Sequence, residues 1–220
     1  MSSNFKHDLF HQFARIGKAL ASPNRLELLE FIAQGERTVE SLAAVASLSV
    51  ANTSQHLQQL RQAGLITARK EGQYVYYRLA GDDVLVLLNT LREVAEQRLA
   101  EVERLVNSFL TVKDNLEPVP AGELLKRARA GLVTVLDVRP REEYAAGHLR
   151  GALNVPLAEL EKHLDKFPAD KEIVAYCRGP HCVLAFDAVA RLRKHGLKAR
   201  RLEHGFPEWK LSGRPVATED

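Results

Sequence analysis

Hydrophobic residues in the first half of the chain recur at spacings of three and four, the period of an amphipathic helix. Ser22, Thr38 and Ser49 precede three of the apolar runs, and their short side chains can accept a hydrogen bond from a first helical turn. Spacing and caps together predict four helices, over residues 5–21, 23–35, 38–45 and 49–63. A hairpin that turns at Gly72 is predicted after them from two strand-like runs, residues 65–70 and 74–79.

A longer predicted helix begins at Asp82-Asp83 and carries an apolar stripe that ends at Phe109. The stripe has the three-and-four alternation of a helix-pairing seam and is interrupted at Arg98. A helix of this length in a small domain cannot bury its whole stripe internally. The stripe and the first helix therefore predict the interface of a homodimer. Packing of the stripe against the second half of the same chain is the alternative.

Pro118 and Pro120 interrupt any helix in their segment, so residues 114–119 are predicted to be a linker. Beyond it, short β-rich runs alternate with helical segments, which favours an α/β domain with a mostly parallel sheet. The predicted strands cover residues 133–138, 152–155, 173–177 and 199–202, and the predicted helices residues 121–130, 141–146, 157–164 and 183–195. The sequence thus predicts two domains: residues 1–113, mainly α-helical with a β-hairpin, and residues 120–220, α/β.

The chain has 220 residues, of which 45% are hydrophobic and 27% are charged, as in ordinary globular domains. This composition excludes a disordered, collagen-like or low-complexity chain. No stretch approaches the roughly 20 apolar residues that a membrane span needs, and residues 1–8 lack the features of an export signal. A cytoplasmic protein without a membrane partner is therefore expected. The net charge of +3 is too small to identify a nucleic-acid-binding protein by itself.

The fourth predicted helix buries Val50, Leu57 and Leu60 and leaves amide side chains, which can pair with adenine in the major groove, on its polar faces. The following hairpin carries Arg69 and Lys70, which can reach phosphates or the minor groove. On an isolated helix such a glutamine-rich face is typical of solvated surface, but the order of caps, hairpin and long helix favours a winged helix-turn-helix. The candidate DNA-contact residues are Ser49, Asn52, Ser54, Gln55, His56, Gln58, Gln59, Arg61, Arg69, Lys70 and Gln73.

Three separated motifs of the first half resemble the ArsR family of repressors: ALASPNRLELL at 19–29, SQHLQQLRQAGL at 54–65 and GQYVYYRL at 72–79. The resemblance covers roughly residues 5–110. It implies a homodimeric winged helix-turn-helix protein that binds a palindromic operator in double-stranded DNA and leaves it on sensing an inducer. The family's recognition helix corresponds to residues 49–63.

The first half also departs from relatives that sense metals or persulfides within this domain. Residues 1–113 contain no cysteine, and no histidine lies between His56 and His148. Without thiols, ligation of a soft metal by thiolates is excluded there, and so is persulfide formation. His56 is better explained as a structural residue than as a metal ligand. The sensing chemistry is therefore predicted to lie in the second half.

Both cysteines of the chain lie in one segment, YCRGPHCV at 176–183. A strand-like run ends at Cys177, and a helix begins near Val183, so the loop between them can direct backbone N–H groups and the positive end of the helix dipole at one point. Such a setting is expected to lower a thiol's pKa and to hold an anionic sulfur species. The candidate site residues are Cys177, Arg178, His181 and Cys182, with no metal and no cofactor predicted. For His181, contact with a thiolate and exposure to solvent remain open.

Together with two further motifs, this loop resembles the rhodanese (sulfurtransferase) domain. LDVR at 136–139 with EYAAGHLRGALNVP at 143–156, and LEHGFPEW at 202–209, look like the family's signatures, so the resemblance spans about residues 120–216. It implies that Cys177 accepts a sulfane sulfur as a persulfide and passes it on. The implied donors or acceptors are thiosulfate, polysulfide, glutathione persulfide or a protein thiol. Asp137, Arg139 and His148 resemble framework positions, and an ion pair of Asp137 with Arg139 or with another arginine is expected.

The loop's length and composition separate it from other members of that fold. Arsenate reductases and phosphatases carry a longer loop that ends in an arginine six positions after the cysteine, where this chain has Val183. Many active sulfurtransferases have an arginine five positions after the cysteine, where this chain has Cys182. The lost cation weakens the case for turnover with thiosulfate. Cys182 could instead attack a persulfide on Cys177 and release hydrosulfide.

Three functions follow, in order of preference. The first is a dimeric DNA-binding repressor whose rhodanese-like domain responds to reactive sulfur at Cys177 and Cys182. The second is a sulfurtransferase enzyme that uses its DNA-binding half for dimerisation or targeting. The third is a repressor that binds arsenite or a soft metal, for which two thiolates form an incomplete ligand set.

Overall fold

The computed structural model describes residues 2–168 and 170–219 of the chain. The described residues form two compact units, which divide between Leu91 and Arg92. Within the described residues, no helix is both long enough and apolar enough to cross a membrane.

The first unit is a winged helix-turn-helix. Its elements are α1 (Ser2–Leu20), α2 (Pro23–Ile32), β1 (Arg37–Thr38), α3 (Val39–Val45), α4 (Val50–Gln62), β2 (Ile66–Glu71), β3 (Tyr74–Leu79) and the start of α5 (Asp82–Arg98). The strands form an antiparallel sheet in the order β1-β3-β2, and Gly72 turns the β2–β3 hairpin with a positive φ of 60°. Leucines of α2, α3 and α4 are buried together in the core.

Two predicted caps are confirmed, since Thr38 accepts the Ser41 N–H at 3.3 Å and Ser49 accepts the Asn52 N–H at 3.2 Å. Ser22 was expected to cap α2 in the same way, but its side chain makes no capping hydrogen bond. Pro23 occupies the first turn of α2, where the N–H that proline lacks has no partner within the helix.

The buried side of α4 differs at one position from the prediction. Leu57 and Leu60 are fully buried as expected, but Val50 is 46% exposed. Thr53 takes the buried place in the first turn, since it precedes Leu57 by one helical turn, and its hydroxyl donates to the Ser49 carbonyl at 3.0 Å. Val50 therefore contributes less to the core than the apolar pattern indicated.

Apolar side chains of α1 and α5 remain exposed within the single chain. On α1 they are Phe5, Leu9, Phe10 and Phe13, and on α5 they are Val86, Leu87, Leu91 and Val94. Exposed apolar surface of this extent is uncommon on a monomer and typical of a protein interface.

The long helix predicted over residues 82–109 is divided. Helix α5 ends at Arg98, Leu99 is extended (φ −111°, ψ 105°), and α6 (Ala100–Leu105) begins after it, followed by a π-helical turn (Val106–Thr111). The division coincides with the polar run Glu96-Gln97-Arg98, where the apolar stripe is interrupted and provides no packing to keep the helix continuous.

The second unit is α/β, and its main sheet is parallel, in the order β6-β4-β7-β8. Its elements are α7 (Ala121–Arg129), β4 (Val133–Asp137), α8 (Arg141–Ala146), β5 (His148–Leu149), β6 (Leu153–Asn154), β7 (Glu172–Tyr176), α9 (Val183–Lys194), β8 (Ala199–Arg201), α10 (Phe206–Leu211) and β9 (Val216–Ala217). The α-helix predicted over residues 157–164 is instead a 3-10 helix, Leu157–Lys166. Helix α10 and the antiparallel β5–β9 pair have no counterpart in the prediction.

The segment predicted to be a linker is held by the second unit at both ends. Asp114 is buried and pairs with Arg193 at 2.8 Å and with Arg201 at 3.4 Å. Val119 donates its N–H to the Arg201 carbonyl at 2.8 Å and forms a parallel bridge with Leu202. This segment is therefore anchored rather than extended into solvent.

Side chains of a β-strand alternate between its two faces, and this alternation positions the cysteine loop. Val174 and Tyr176 of β7 point into one core cluster, whereas Ala175 and the following residue, Cys177, point into the other. The second cluster is covered by the apolar side of α9, including Ala185. Alternation along β7 thus places the Cys177 side chain beneath α9.

Candidate functional site

The predicted DNA-contact residues lie on α4 and on the β2–β3 hairpin of the first unit. All of them are exposed except His56, which is partly buried and has its Nε2 atom 3.4 Å from Asn24 Nδ2. Gln59 is exposed but also engaged, since its Oε1 atom accepts a hydrogen bond from Arg25 at 2.6 Å. The structure therefore presents an amide-rich helix face that can enter a major groove.

The hairpin's basic side chains are not equivalent. Arg69 Nε bonds to Glu36 at 2.7 Å, and its Nη1 atom pairs with Glu71. The Glu36 and Glu71 carboxylates raise the pKa of the Arg69 guanidinium and offset part of its charge. Lys70 is exposed beside the turn, where phosphates can reach it.

The cysteine loop has the predicted length, because β7 ends at Tyr176 and α9 begins at Val183. Both cysteines are free thiols. Cys177 is 1% exposed, whereas Cys182, the N-cap residue of α9, is partly exposed. The two sulfur atoms therefore differ in their access to solvent.

Cys177 is surrounded by polar backbone groups although it is buried. Its thiol donates toward the Cys182 carbonyl, with 3.4 Å between the heavy atoms, and toward the Gly179 carbonyl, with 3.8 Å between them. The N–H groups of Gly179 and Ala185 act to lower the pKa of this thiol, as expected for such a loop. Burial nevertheless raises the pKa of the Cys177 thiol well above its ordinary range. The lowered pKa expected for a thiol in this loop is therefore not found at Cys177, because the cost of desolvating the thiolate is larger than the effect of the amides.

Cys182 has the lowered pKa that was expected for a thiol in this loop. The hydrogen bond from the Cys177 thiol is the largest cause of the lower Cys182 pKa, and the Arg178 and Leu184 N–H groups and the Arg178 charge act in the same direction. A thiolate at the N-terminus of α9 also faces the positive end of the helix dipole. The pKa values of the two thiols of the loop are therefore shifted in opposite directions.

The two other predicted loop residues bind carboxylates. Arg178 donates to Glu143 through Nη2 at 2.7 Å and through Nε at 3.0 Å, and Glu143 is buried. His181 Nε2 lies 3.5 Å from Glu96 Oε1, and burial lowers the pKa of the imidazole. Arg178 thus holds the loop in place, while His181 is paired with the end of α5.

The predicted framework ion pair is confirmed. Arg139 and Asp137 are fully buried, with 2.6 Å between Nη2 and Oδ2. Arg139 also donates to the Gly147 carbonyl at 2.7 Å, and its guanidinium lies 4.5 Å from the centre of the Phe206 ring. The pair joins the end of β4 to the segments around the loop.

Three residues that support the loop were not singled out from the sequence. Gly205 lies so close to the loop that a Cβ on it would be 2.4 Å from both Arg178 C and Gly179 N. Glu208 accepts the Gly205 N–H at 3.0 Å and pairs with Arg92 at 3.3 Å. Gly205 and Glu208 lie in the LEHGFPEW motif, but their contacts depend on folding and were not visible there.

We expect Gly205→Ala to displace the cysteine loop, because the new methyl group would overlap backbone atoms of Arg178 and Gly179. Overpacking of this kind lowers the free energy of unfolding by about 1–3 kcal/mol. Urea unfolding followed by the fluorescence of Trp209, the chain's single tryptophan, measures this in the second unit. Gly122→Ala is the matched control, since its Cβ would meet nothing within 4 Å. Equal stability of the two variants would contradict the close approach.

Comparisons with known proteins match each unit separately. The sequence model of the family described as bacterial regulatory protein, arsR family, matches residues 22–68, and that of the rhodanese-like domain matches residues 120–212. A solution structure of the homodimeric winged helix-turn-helix DNA-binding domain of Mb0332 from Mycobacterium bovis is 45% identical and covers 43% of this chain and 87% of that chain, with a TM-score of 0.41. A rhodanese-related protein from Thermoplasma volcanium is 29% identical and covers 47% of this chain and 100% of that chain, with a TM-score of 0.43.

One relative matches both units together. The HTH-type transcriptional regulator Rv0324 of Mycobacterium tuberculosis is 45% identical over 214 residues, which are 97% of this chain and 94% of that protein. The chain therefore belongs to the arsR family of bacterial regulatory proteins, as a transcriptional regulator that carries a rhodanese-like domain in its second half.

Proposed function

We propose that this regulator binds operator DNA as a homodimer and releases it when a sulfane-sulfur compound reacts with Cys177 and Cys182. Persulfides and polysulfides are the proposed inducers, because their outer sulfur is transferred to thiolates by ordinary exchange chemistry. Repression is then lifted by sulfur chemistry in the second unit. The first unit supplies DNA binding.

The observation that carries this proposal is the pair of neighbouring thiols in the loop. They are the only two cysteines of the chain, and the Cys177 Sγ atom lies 3.4 Å from the Cys182 carbonyl oxygen. One thiol is partly exposed and has a lowered pKa, and the other is buried beside it. This is the arrangement that a reversible two-thiol sensor needs, with one sulfur to react and a second to form a bridge.

Within the second unit, the loop is linked to the last residues of α5, from Arg92 onward. Gly205 fits tightly against the loop backbone, and Glu208 links the Gly205 N–H to Arg92 of α5. His181 pairs with Glu96 one turn further along the same helix. A change in the loop that moves Gly205 or His181 therefore acts on α5.

The homodimer is supported by the exposed apolar side chains of α1 and α5 described above. A symmetric dimer that buries these side chains would place two α4 helices on a palindromic site. Double-stranded operator DNA is accordingly the proposed macromolecular partner.

The test uses a duplex selected from random sequences by the wild-type protein, at one fixed salt concentration, because phosphate contacts make affinity steeply salt-dependent. Inorganic polysulfide is expected to weaken operator binding about 5- to 150-fold, the usual range of allosteric coupling. Dithiothreitol should restore it. The Cys177→Ser/Cys182→Ser double variant should bind the duplex normally and ignore polysulfide. Unchanged wild-type affinity, with sulfur detected on the loop by mass spectrometry, would refute the proposal.

The same protein preparation also tests the alternative function, that of a sulfurtransferase. The burial of Cys177 disfavours turnover, because a thiosulfate anion would have to reach a sulfur that is 1% exposed. We therefore expect slow thiosulfate:cyanide transfer. Fast transfer combined with operator binding that polysulfide does not alter would establish the enzyme instead.

A further inference from the structure

We infer that Cys182 is the thiol that first takes sulfur from the donor, and that Cys177 is the second thiol, which attacks the sulfur bound to Cys182. The inference rests on the proposed function in assuming that this loop reacts with sulfane sulfur. It reverses the order implied by the rhodanese resemblance, in which Cys177 accepts the sulfur.

Access to solvent distinguishes the two thiols. Cys177 follows β7 directly, and its side chain belongs to the apolar cluster beneath α9 that contains Leu136 and Ala185. Cys182 is partly exposed at the first position where the loop meets α9. A donor arriving from solvent therefore meets the Cys182 sulfur first.

The polar groups of the loop stabilise negative charge at the same exposed sulfur. Cys182 is the N-cap residue of α9, a helix of 12 residues, and the Cys177 thiol and the N–H groups of Arg178 and Leu184 all lower the pKa of its thiol. The Arg178 guanidinium adds positive charge, and its bonds to Glu143 at 2.7 and 3.0 Å fix its position. Cys182 thus combines access with a stabilised thiolate, the two requirements of an attacking sulfur.

The reaction has two balanced steps. In the first, the Cys182 thiolate attacks the outer sulfur of a persulfide donor, RS–SH; the donor's S–S bond breaks, RS⁻ leaves, and Cys182 becomes a persulfide. In the second, Cys177 attacks the Cys182 Sγ atom, the bond to the outer sulfur breaks, and the Cys177 proton leaves with it as hydrogen sulfide. Two thiols are oxidised to a disulfide, and the donor's sulfane sulfur is reduced to sulfide.

The Cys177 Sγ atom lies 3.4 Å from the Cys182 carbonyl oxygen, so Cys177 is beside the residue that it attacks. The role of second thiol gives a reason for two cysteines five positions apart. Burial keeps the Cys177 proton in place until Cys182 has reacted, because the buried thiolate is costly. The loop therefore does not require a cation at position 182 for this reaction.

The first test is competitive alkylation of the full-length wild-type protein with iodoacetamide at neutral pH, followed by mass spectrometry of the loop peptide. We expect Cys182 to be labelled while Cys177 stays unlabelled over the same period, because Cys177 is 1% exposed and its burial raises the pKa of its thiol. Cys177→Ala should shift the pH midpoint of Cys182 labelling upward, because the hydrogen bond that lowers the Cys182 pKa is lost. Cys177→Ser retains a donor and should shift it less. Faster labelling of Cys177 in the wild type would overturn the inference.

The second test adds glutathione persulfide to the wild type and to two single variants. In Cys177→Ser, Cys182 should become one sulfur atom heavier and remain so. In the wild type, the loop peptide should lose two hydrogen atoms, and one sulfide should be released for each subunit. In Cys182→Ser, Cys177 should remain a thiol over the same period. A persulfide on Cys177 of Cys182→Ser, formed as fast as the wild type reacts, would overturn the order.

Operator binding, measured on the same samples, separates this inference from the proposed function. Sulfur on Cys182 with unchanged operator affinity would refute the proposed function and support the order of the thiols. Operator release by Cys182→Ser through a persulfide on Cys177 would support the proposed function and refute the order.

Discussion

Replacing Arg139 with leucine is expected to lower the free energy of unfolding of the second unit by about 3–5 kcal/mol, the usual cost of leaving one partner of a buried ion pair alone. Arg139 and Asp137 are both 0% exposed, and Arg139 donates to both carboxylate oxygens of Asp137. In Arg139→Leu the Asp137 carboxylate would be buried without its counter-ion. Urea unfolding followed by Trp209 fluorescence reports on this unit, because Trp209 belongs to its core.

Two controls define the origin of that loss. The double variant Asp137→Leu/Arg139→Leu removes both charges and should be more stable than Arg139→Leu alone. Arg141→Leu removes an exposed arginine that pairs with Glu159 on the surface and should leave the unfolding curve unchanged. If Arg139→Leu unfolds at the wild-type urea concentration, the buried pair does not support the domain in the way described.

The order of helices and strands could be predicted from the sequence because local patterns specify that order. Helix caps such as Thr38 and Ser49, the Gly72 turn and the alternation of strands with helices all depend on near neighbours. The departures occur where packing outweighs the pattern. Val50 was expected in the core on its hydrophobicity alone, whereas the 3.6-residue period places Thr53 above Leu57.

The candidate site was located from sequence, but the properties of its two thiols were not. The motif predicts a six-residue loop with inward N–H groups, and the structure has it. Whether an N–H group or burial controls a thiol's pKa depends on what covers the sulfur, and for Cys177 this is the side of α9. The contacts of Arg92 with Glu208 join residues 116 positions apart, which no local pattern reveals.

The dimer is where a single substitution is expected to have the largest effect on function. Phe13 lies on α1 and is 57% exposed, with its ring 5.7 Å from that of Phe10 in an edge-to-face arrangement. An aromatic pair left in solvent by one chain is the kind of anchor that a partner subunit buries. We expect Phe13→Asp to place a charge in this interface and to convert the dimer into a monomer.

A monomer has one recognition helix for a two-part operator, so it loses the gain of simultaneous binding, which amounts to about 10²- to 10⁴-fold in affinity. Sedimentation velocity and operator binding at fixed salt should therefore change together in Phe13→Asp. Gln12→Asp is the matched control, because it adds the same charge at the neighbouring exposed position of α1, on a different side of the helix. That variant should remain dimeric and bind the operator as the wild type does. A dimeric Phe13→Asp protein with full operator affinity would show that α1 is not part of the interface, and the exposed side of α5 would then have to form it alone.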